Sequence, residues 1–164
     1  MSDYFYYFDS NINRESVQKL IDDTFDKSKV TLYFSTDGGC INSSSFLTSY
    51  LNSRVDDLTI VFTESVSSAG CDLIVDYKGQ IYYTQRLDFL MFHMTDRSNY
   101  RFRKDSYYNK DIISKQDFDL NVLDSKKFLK IGLTQEEVNR FLDGEDVYLY
   151  KNDFHRLPIK FIEE

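Results

Sequence analysis

Blocks of apolar residues with two different spacings alternate along the first half of the chain. Residues 4–8 form a short aromatic run that reads as a strand, and Asn13 then caps a helix on which Val17, Leu20, Ile21 and Phe25 recur with a 3.6-residue period. Residues 30–34 read as a second strand. After the turn Ser35-Thr36-Asp37-Gly38-Gly39 comes a serine-rich helix with Phe46, Leu47, Tyr50 and Leu51 on one side, followed by a strand over residues 58–62. A short helix through Leu73, Ile74 and Val75, a stop at Gly79, and strands over 81–84 and 88–92 complete the pattern. Such an alternation predicts an α/β domain with a largely parallel sheet and right-handed crossovers.

Beyond His93 the character changes. Residues 95–110 are polar, basic and tyrosine-rich and read as a loop, with Arg101 to Lys104 as a solvated loop face. Helical spacing resumes at Ile112, Ile113, Phe118, Val122, Leu123, Phe128 and Leu129, and Thr134-Gln135-Glu136-Glu137 is a capping box opening a helix with Val138, Phe141 and Leu142 inward. Residues 147–150 read as a last strand before a short tail. With no repeat, low-complexity tract or linker, residues 1–164 form a single domain: a core over 4–93, a helical extension over 94–142, and a C-terminal strand and tail over 143–164.

Composition narrows the function classes. Twenty basic against 27 acidic residues give a net charge of −7, which repels a phosphate backbone and argues against nucleic acid or an anionic membrane as a partner. No apolar run approaches the ~18 residues of a membrane span, and no basic start with a long apolar core marks a signal peptide. Two cysteines, Cys40 and Cys71, fit a reduced cytoplasm as small buried fillers, and with only two histidines they make no zinc constellation. No metal and no cofactor is therefore expected.

Glycine is scarce, and its placement is informative. Of six glycines, Gly38 and Gly39 follow the second strand and Gly70 follows the third. Both junctions lie at carboxyl ends of strands, where an open α/β sheet binds ligands. Gly38-Gly39 lacks the lysine of a P-loop, and no G-x-G-x-x-G marks a dinucleotide site. The other junction, Ser67-Ser68-Ala69-Gly70, resembles half of a nucleophile elbow, but Val66 stands where G-x-S-x-G needs glycine, which disfavours an α/β-hydrolase. A nucleophilic serine needs a base, and the inventory is His93 and His155. His93 closes the apolar strand Phe89-Leu90-Met91-Phe92, 25 positions after Ser68, whereas His155 lies in a polar stretch.

From Asn11 to His93 these residues resemble the proteolytic subunit of the caseinolytic protease, the ClpP family of self-compartmentalised serine peptidases. Leu32-Tyr33-Phe34-Ser35-Thr36-Asp37-Gly38-Gly39 is similar to the family's strand and Ser-Pro-Gly-Gly turn, with Asp37 in place of proline. Ser67-Ser68-Ala69-Gly70 matches its Ala-Ser-Met-Gly nucleophile segment, and Met91-Phe92-His93 its histidine strand without the following Gln-Pro. The resemblance implies a crotonase-like superhelix of ββα units, Ser68 as nucleophile, His93 as base and Asp146 as orienting carboxylate, with Asp143 as an alternative register. It further implies an oxyanion hole from the backbone amides of Gly39 and Ala69, supported by Gly38 and Gly70. The implied substrate is a peptide or unfolded protein, with homo-oligomeric, ring-forming assembly and an ATP-dependent unfoldase as partners. Compared with the family, the axial loop and first helix are not represented before Tyr4, and the oligomerising helix between His93 and Asp146 is only echoed.

Each residue also has a bland role. Ser68 alone reads as a helix cap, His93 as a satisfied strand-end histidine, and Asp146 as a solvated residue of the Asp-Gly-Glu-Asp turn. At the level of function, a catalytically silent assembly or regulatory subunit stands beside the peptidase, and acyl-CoA chemistry on the same fold is a third reading.

Overall fold

The computed structural model describes residues 3–94 and 115–163. The expected loop over 95–110, and Ile112 and Ile113, lie outside the described residues, as does the side chain of Phe118. The first strand, β1 (Tyr4–Asp9), leads to helix α1 (Arg14–Thr24), then β2 (Val30–Thr36), α2 (Ile41–Asn52) and β3 (Leu58–Ser67). A 3-10 turn, Ser68–Cys71, runs into the short helix α3 (Asp72–Asp76), followed by strands β4 (Ile81–Tyr83) and β5 (Phe89–Phe92). Helices α4 (Lys115–Ile131) and α5 (Gln135–Leu142) precede β6 (Val147–Tyr150), a second 3-10 turn at Phe154–Arg156, and β7 (Ile159–Phe161).

Helix starts follow the sequence signals. Asn13 accepts from the Ser16 amide at 2.9 Å while the Ser16 hydroxyl accepts from the Asn13 amide at 3.1 Å. Thr134 and Glu137 make the same reciprocal pair at the start of α5, at 3.2 and 2.7 Å. Each pair satisfies two amides that a helix start otherwise leaves without a partner.

The seven strands form one sheet, mostly parallel, as the alternation predicts. Its central member is β3, which is twice as long as the sequence suggests. The first part of β3 pairs with β4, Ile60 opposite Ile81 through Phe62 opposite Tyr83. The last part pairs with β5, Ser65 opposite Phe89 through Ser67 opposite Met91. Between the two, the register against β2 slips: Phe34 faces Phe62, but Thr36 faces Val66, so β3 carries two extra residues there. Glu64 within this bulge has φ 51°, left-handed for a residue with a side chain. A bulge bends its strand and re-aims the residues after it, and here it directs residues 65–68 away from β4 toward β5.

Two further pairings were not apparent from the sequence. Strand β6 runs antiparallel to β5. The supposed C-terminal tail contains β7, which pairs parallel to β4, with Phe154 fully buried against the Tyr83 ring at a 5.2 Å centroid separation.

Phe8, Phe34 and Phe62 line up across adjacent strands with centroids 5.0 and 5.9 Å apart. Val17 and Leu20 of α1 and Leu47 and Leu51 of α2 complete that part of the core. At the other end Phe92, Phe128 and Phe141 tie β5 to α4 and α5, each successive pair edge-on at 5.0 Å. Several positions assigned inward by helical period are exposed: Phe25 (67%), Phe46 (56%), Leu123, Leu129 and Leu142. Phe25 is the C-cap of α1; it keeps helical φ and ψ and donates its amide to Ile21 O, but at the end of the helix its ring is left in solvent. No helix among the described residues is long and apolar enough to cross a membrane.

Truncating Phe62 to alanine removes a ring from the strand on which the sheet is centred and should cost roughly 3–5 kcal/mol. Phe25→Ala should stay within about 0.5 kcal/mol, as for other surface positions. Urea unfolding of both variants checks the contrast; a Phe25→Ala loss as large as that of Phe62→Ala would contradict this assignment of the core.

Candidate active site

Two strand registers bring the candidate residues together. Ser67 faces Met91 across the parallel β3–β5 pair, so Ser68 leaves β3 level with Phe92. Phe92 faces Val147 across the antiparallel β5–β6 pair, so one step further His93 lies opposite Asp146. Ser68 Oγ is 2.5 Å from His93 Nε2, and His93 Nδ1 is 3.6 Å from Asp146 Oδ1. The first is a short hydrogen bond; the second is within ion-pair range but longer than a formed hydrogen bond. For Ser68 to donate to Nε2, the ring proton must sit on Nδ1, facing the carboxylate. Asp146, rather than Asp143, is the acidic residue beside the imidazole, because Asp143 ends α5 and is exposed. His155 belongs to the second 3-10 turn, in a different part of the chain's course.

Ser68 itself has φ 55°. A non-glycine residue in this region costs of order 1–3 kcal/mol and persists where its surroundings enforce it. Here they do. The Cys71 thiol, fully buried, donates to the carbonyls of Val66 at 3.3 Å and Met91 at 3.4 Å, holding β3 and β5 together beneath the turn. Gly70 backs onto Thr36, where an added Cβ would lie 2.4 Å from the threonine methyl.

The Gly38-Gly39 turn approaches from β2. Gly38 has φ 107°, and a Cβ there would lie 2.5 Å from Ser68 Cβ and 3.0 Å from its Oγ. Only glycine lets the backbone run this close to the hydroxyl. Thr36 fixes the turn, its hydroxyl donating to Ser10 O at 2.7 Å and accepting from the Gly38 amide at 3.0 Å. On the far side Ile12 bridges the turn, its amide donating to Gly38 O and its carbonyl accepting from the Cys40 amide, both at 2.8 Å. A Cβ on Gly39 would collide with that carbonyl. Ile12 thus engages the residues on either side of Gly39 and not the amide of Gly39 itself.

The two thiols differ. Burial pushes the Cys71 thiol well up, whereas the Ser43 amide and hydroxyl and the Asn42 amide draw the exposed Cys40 thiol down. Behind the serine turn, half-buried Asp72 starts α3, and burial, aided by Asp124 and Asp76 and opposed by Lys127, raises its carboxyl to about 7. Sequence reasoning did not single out Asp72, because an aspartate in the first turn of a helix is ordinary; its burial under α4 is the unusual part. Among the described residues no three His, Cys, Asp or Glu side chains are grouped to hold a metal ion.

No protein-family model matches the chain, and no curated protein matches it in sequence. Solved structures do. The catalytic domain of the ClpP protease from Plasmodium falciparum superposes with a TM-score of 0.64 at 18% identity, over 98% of this chain and 85% of that one. A ClpP1 mutant from Listeria monocytogenes superposes with a TM-score of 0.59 at 16% identity, over 98% and 91%. The chain is an α/β protein with the fold of ClpP protease catalytic domains.

Asp72 makes stability depend on pH with a definite sign. Its carboxyl holds a proton in the folded state at pH values where the unfolded chain has released it. Its contribution to stability is therefore complete below about pH 4 and is lost as pH rises toward 7. Asp72→Asn should raise the melting temperature only slightly at pH 4 and much more at pH 8; thermal unfolding at the two pH values tests this, and an equal effect at both would contradict it.

Proposed function

We propose that the chain is a serine peptidase that cleaves peptides or unfolded protein through an acyl-enzyme. The 2.5 Å contact between Ser68 Oγ and His93 Nε2 carries this reading, since the silent-subunit alternative gives no reason to keep a hydroxyl aimed at an imidazole at the end of a strained turn. The ClpP-like fold and the glycine-lined approach to Ser68 support it.

In this mechanism Ser68 Oγ attacks the scissile carbonyl carbon as its proton passes to His93 Nε2, and the carbonyl electrons move onto oxygen. The amides of Gly39 and Ala69 receive that oxyanion, Gly39 because its flanking groups rather than its own amide engage Ile12, and Ala69 because it lies in the first turn of the 3-10 segment that Ser68 opens. Collapse of the intermediate breaks the C–N bond, and the departing amine takes the proton from Nε2. Water then adds to the ester by the same route, releasing the acid and restoring the serine. Asp146 holds the Nδ1–H tautomer and stabilises the imidazolium. None of these steps calls for a cofactor.

The same reading includes assembly with further copies of the chain, for which Phe5 (54%), Tyr7 (71%) and Phe46 (56%) supply exposed apolar surface. Partnership with an ATP-driven unfoldase enters it through the resemblance of the sequence, and a cytoplasmic setting through the two cysteines, Cys40 and Cys71.

A fluorophosphonate probe should label the wild-type chain at Ser68, and Ser68→Ala should abolish labelling. His93→Ala should lower kcat by roughly 10⁶-fold and Asp146→Ala by roughly 10⁴-fold. A folded wild-type chain that neither labels nor cleaves a fluorogenic peptide would overturn the proposal. Light scattering should report an oligomer, and a clean monomer would remove the self-assembly part.

A further inference from the structure

The turn that carries Ser68 is held from a third direction, by a residue outside the catalytic steps. Ser44 sits in the first half of α2 and is 1% exposed. Its hydroxyl donates to the carbonyl of Ala69 at 2.8 Å, across 25 positions of sequence. Its amide donates to the carbonyl of Cys40 at 2.9 Å, closing the first turn of α2 directly after Gly39. Ala69 O also accepts from the Asp72 amide, so the 3-10 turn already has a partner for this carbonyl. The extra bond is therefore not needed to satisfy the Ala69 carbonyl, though it does give the buried Ser44 hydroxyl its partner. What it adds is a rigid tie between the two segments that carry the Gly39 and Ala69 amides.

The neighbouring hydroxyls of α2 behave differently. Thr48, one turn further along the same face and also buried, spends its hydroxyl on the Ser44 carbonyl within the helix. Ser49 bonds back to Ser45 in the same way. Such bonds to the carbonyl four residues earlier are the usual fate of hydroxyls in a helix interior. Of these three hydroxyls, Ser44 alone donates out of the helix, to the residue that follows the nucleophile.

We infer that Ser44 is a positioning residue for the oxyanion site: it sets the separation of the Gly39 and Ala69 amides by tying α2 to the Ser68–Cys71 turn. This role rests on the serine-peptidase reading and deepens it. Since the hydroxyl touches neither substrate nor Ser68, its effect falls on the transition state, where oxygen is charged, and not on binding of the neutral carbonyl. Misplacing a donor costs less than deleting it, so the loss should lie below the ~10²–10³-fold seen when a donor is removed.

The full-length wild type, Ser44→Ala and Thr48→Val are compared on a fluorogenic peptide amide, for inhibition by a peptide boronate, whose tetrahedral adduct places an oxygen at the oxyanion position, and for thermal unfolding. Ser44→Ala should lower kcat about tenfold with KM unchanged, and weaken boronate inhibition by the same factor. Thr48→Val should leave both as in the wild type. Unchanged kcat and boronate affinity in Ser44→Ala would overturn the inference, as would equal losses in Thr48→Val, which would mark a general softening of α2. Should Ser44→Ala not fold, Ser44→Cys, whose thiol is a weak donor, should show a smaller loss of the same kind, and full retention would overturn the inference. Fluorophosphonate labelling of the wild type separates the two levels. A wild type that does not label removes the peptidase reading and this inference together; a wild type that labels beside an unaltered Ser44→Ala removes this inference alone.

Discussion

One strand cannot pair along its whole length with two neighbours on the same side, and β3 resolves this by bending. Its first half holds β4 and its last residues hold β5, with the bulge around Glu64 between them. The left-handed conformation of Glu64 is unfavourable by roughly 1–2 kcal/mol, and the bend is fixed by backbone more than by charge. Asp88 donates its amide to Glu64 O at 2.6 Å, and the Ser35 hydroxyl donates to Ser65 O at 3.1 Å. The Arg86–Glu64 ion pair at 2.7 Å spans the same place, but both side chains are 56% exposed and such pairs contribute little. Without this bend Ser68 would continue alongside β4, and neither His93 nor Asp146 would be within reach.

From that point the site is a matter of counting residues. The parallel register of β3 on β5 puts Ser68 one step past the Ser67–Met91 pair, and the antiparallel register of β5 on β6 puts Asp146 across from His93. A slip of one residue in either pairing would turn the relevant side chain to the opposite face of the sheet. The apolar residues of these short strands, Leu90, Phe92, Val147 and Leu149, are all buried and so resist such a slip. Phe92 has a further part, since its contact with Phe128 and through it Phe141 anchors the strand end next to His93 against α4 and α5.

This division explains what could be read from the sequence. His93 was legible because it closes an apolar run, and Ser68 and the glycines because they stand in short strand-to-helix junctions of a chain that is otherwise poor in glycine. Asn13 and Thr134 were legible because a capping box is a local pattern. The bulge was not, because Thr63-Glu64-Ser65 looks like the polar end of a strand, and only pairing with two different partners shows that the strand goes on. β7 was missed because three residues behind Pro158 carry no periodicity that separates them from a tail. Which aspartate lies beside His93 stayed open between Asp143 and Asp146 for the same reason: the choice depends on the register of β6, which a four-residue strand does not announce. Phe25 and Phe46 show the reverse error, an apolar residue at helical spacing that the end or the outer face of the helix turns to solvent.

Identities of 16–18% with ClpP structures over nearly the whole chain become intelligible in these terms. A core accepts many hydrophobic substitutions provided volume and pattern are kept, so Phe8, Phe34 and Phe62 can be replaced in concert without moving a strand. The positions that resist change are those where backbones or small groups meet at close range: Gly38 under Ser68, Gly39 against Ile12, and Gly70 against Thr36. Ser44 belongs with them by packing but differs in kind. Its buried hydroxyl is an addition to a turn whose carbonyl is already satisfied, so sterics and hydrogen-bond satisfaction alone would accept alanine there. What the hydroxyl adds is therefore a tie rather than a filled space, and the element it grips is the turn that carries Ser68.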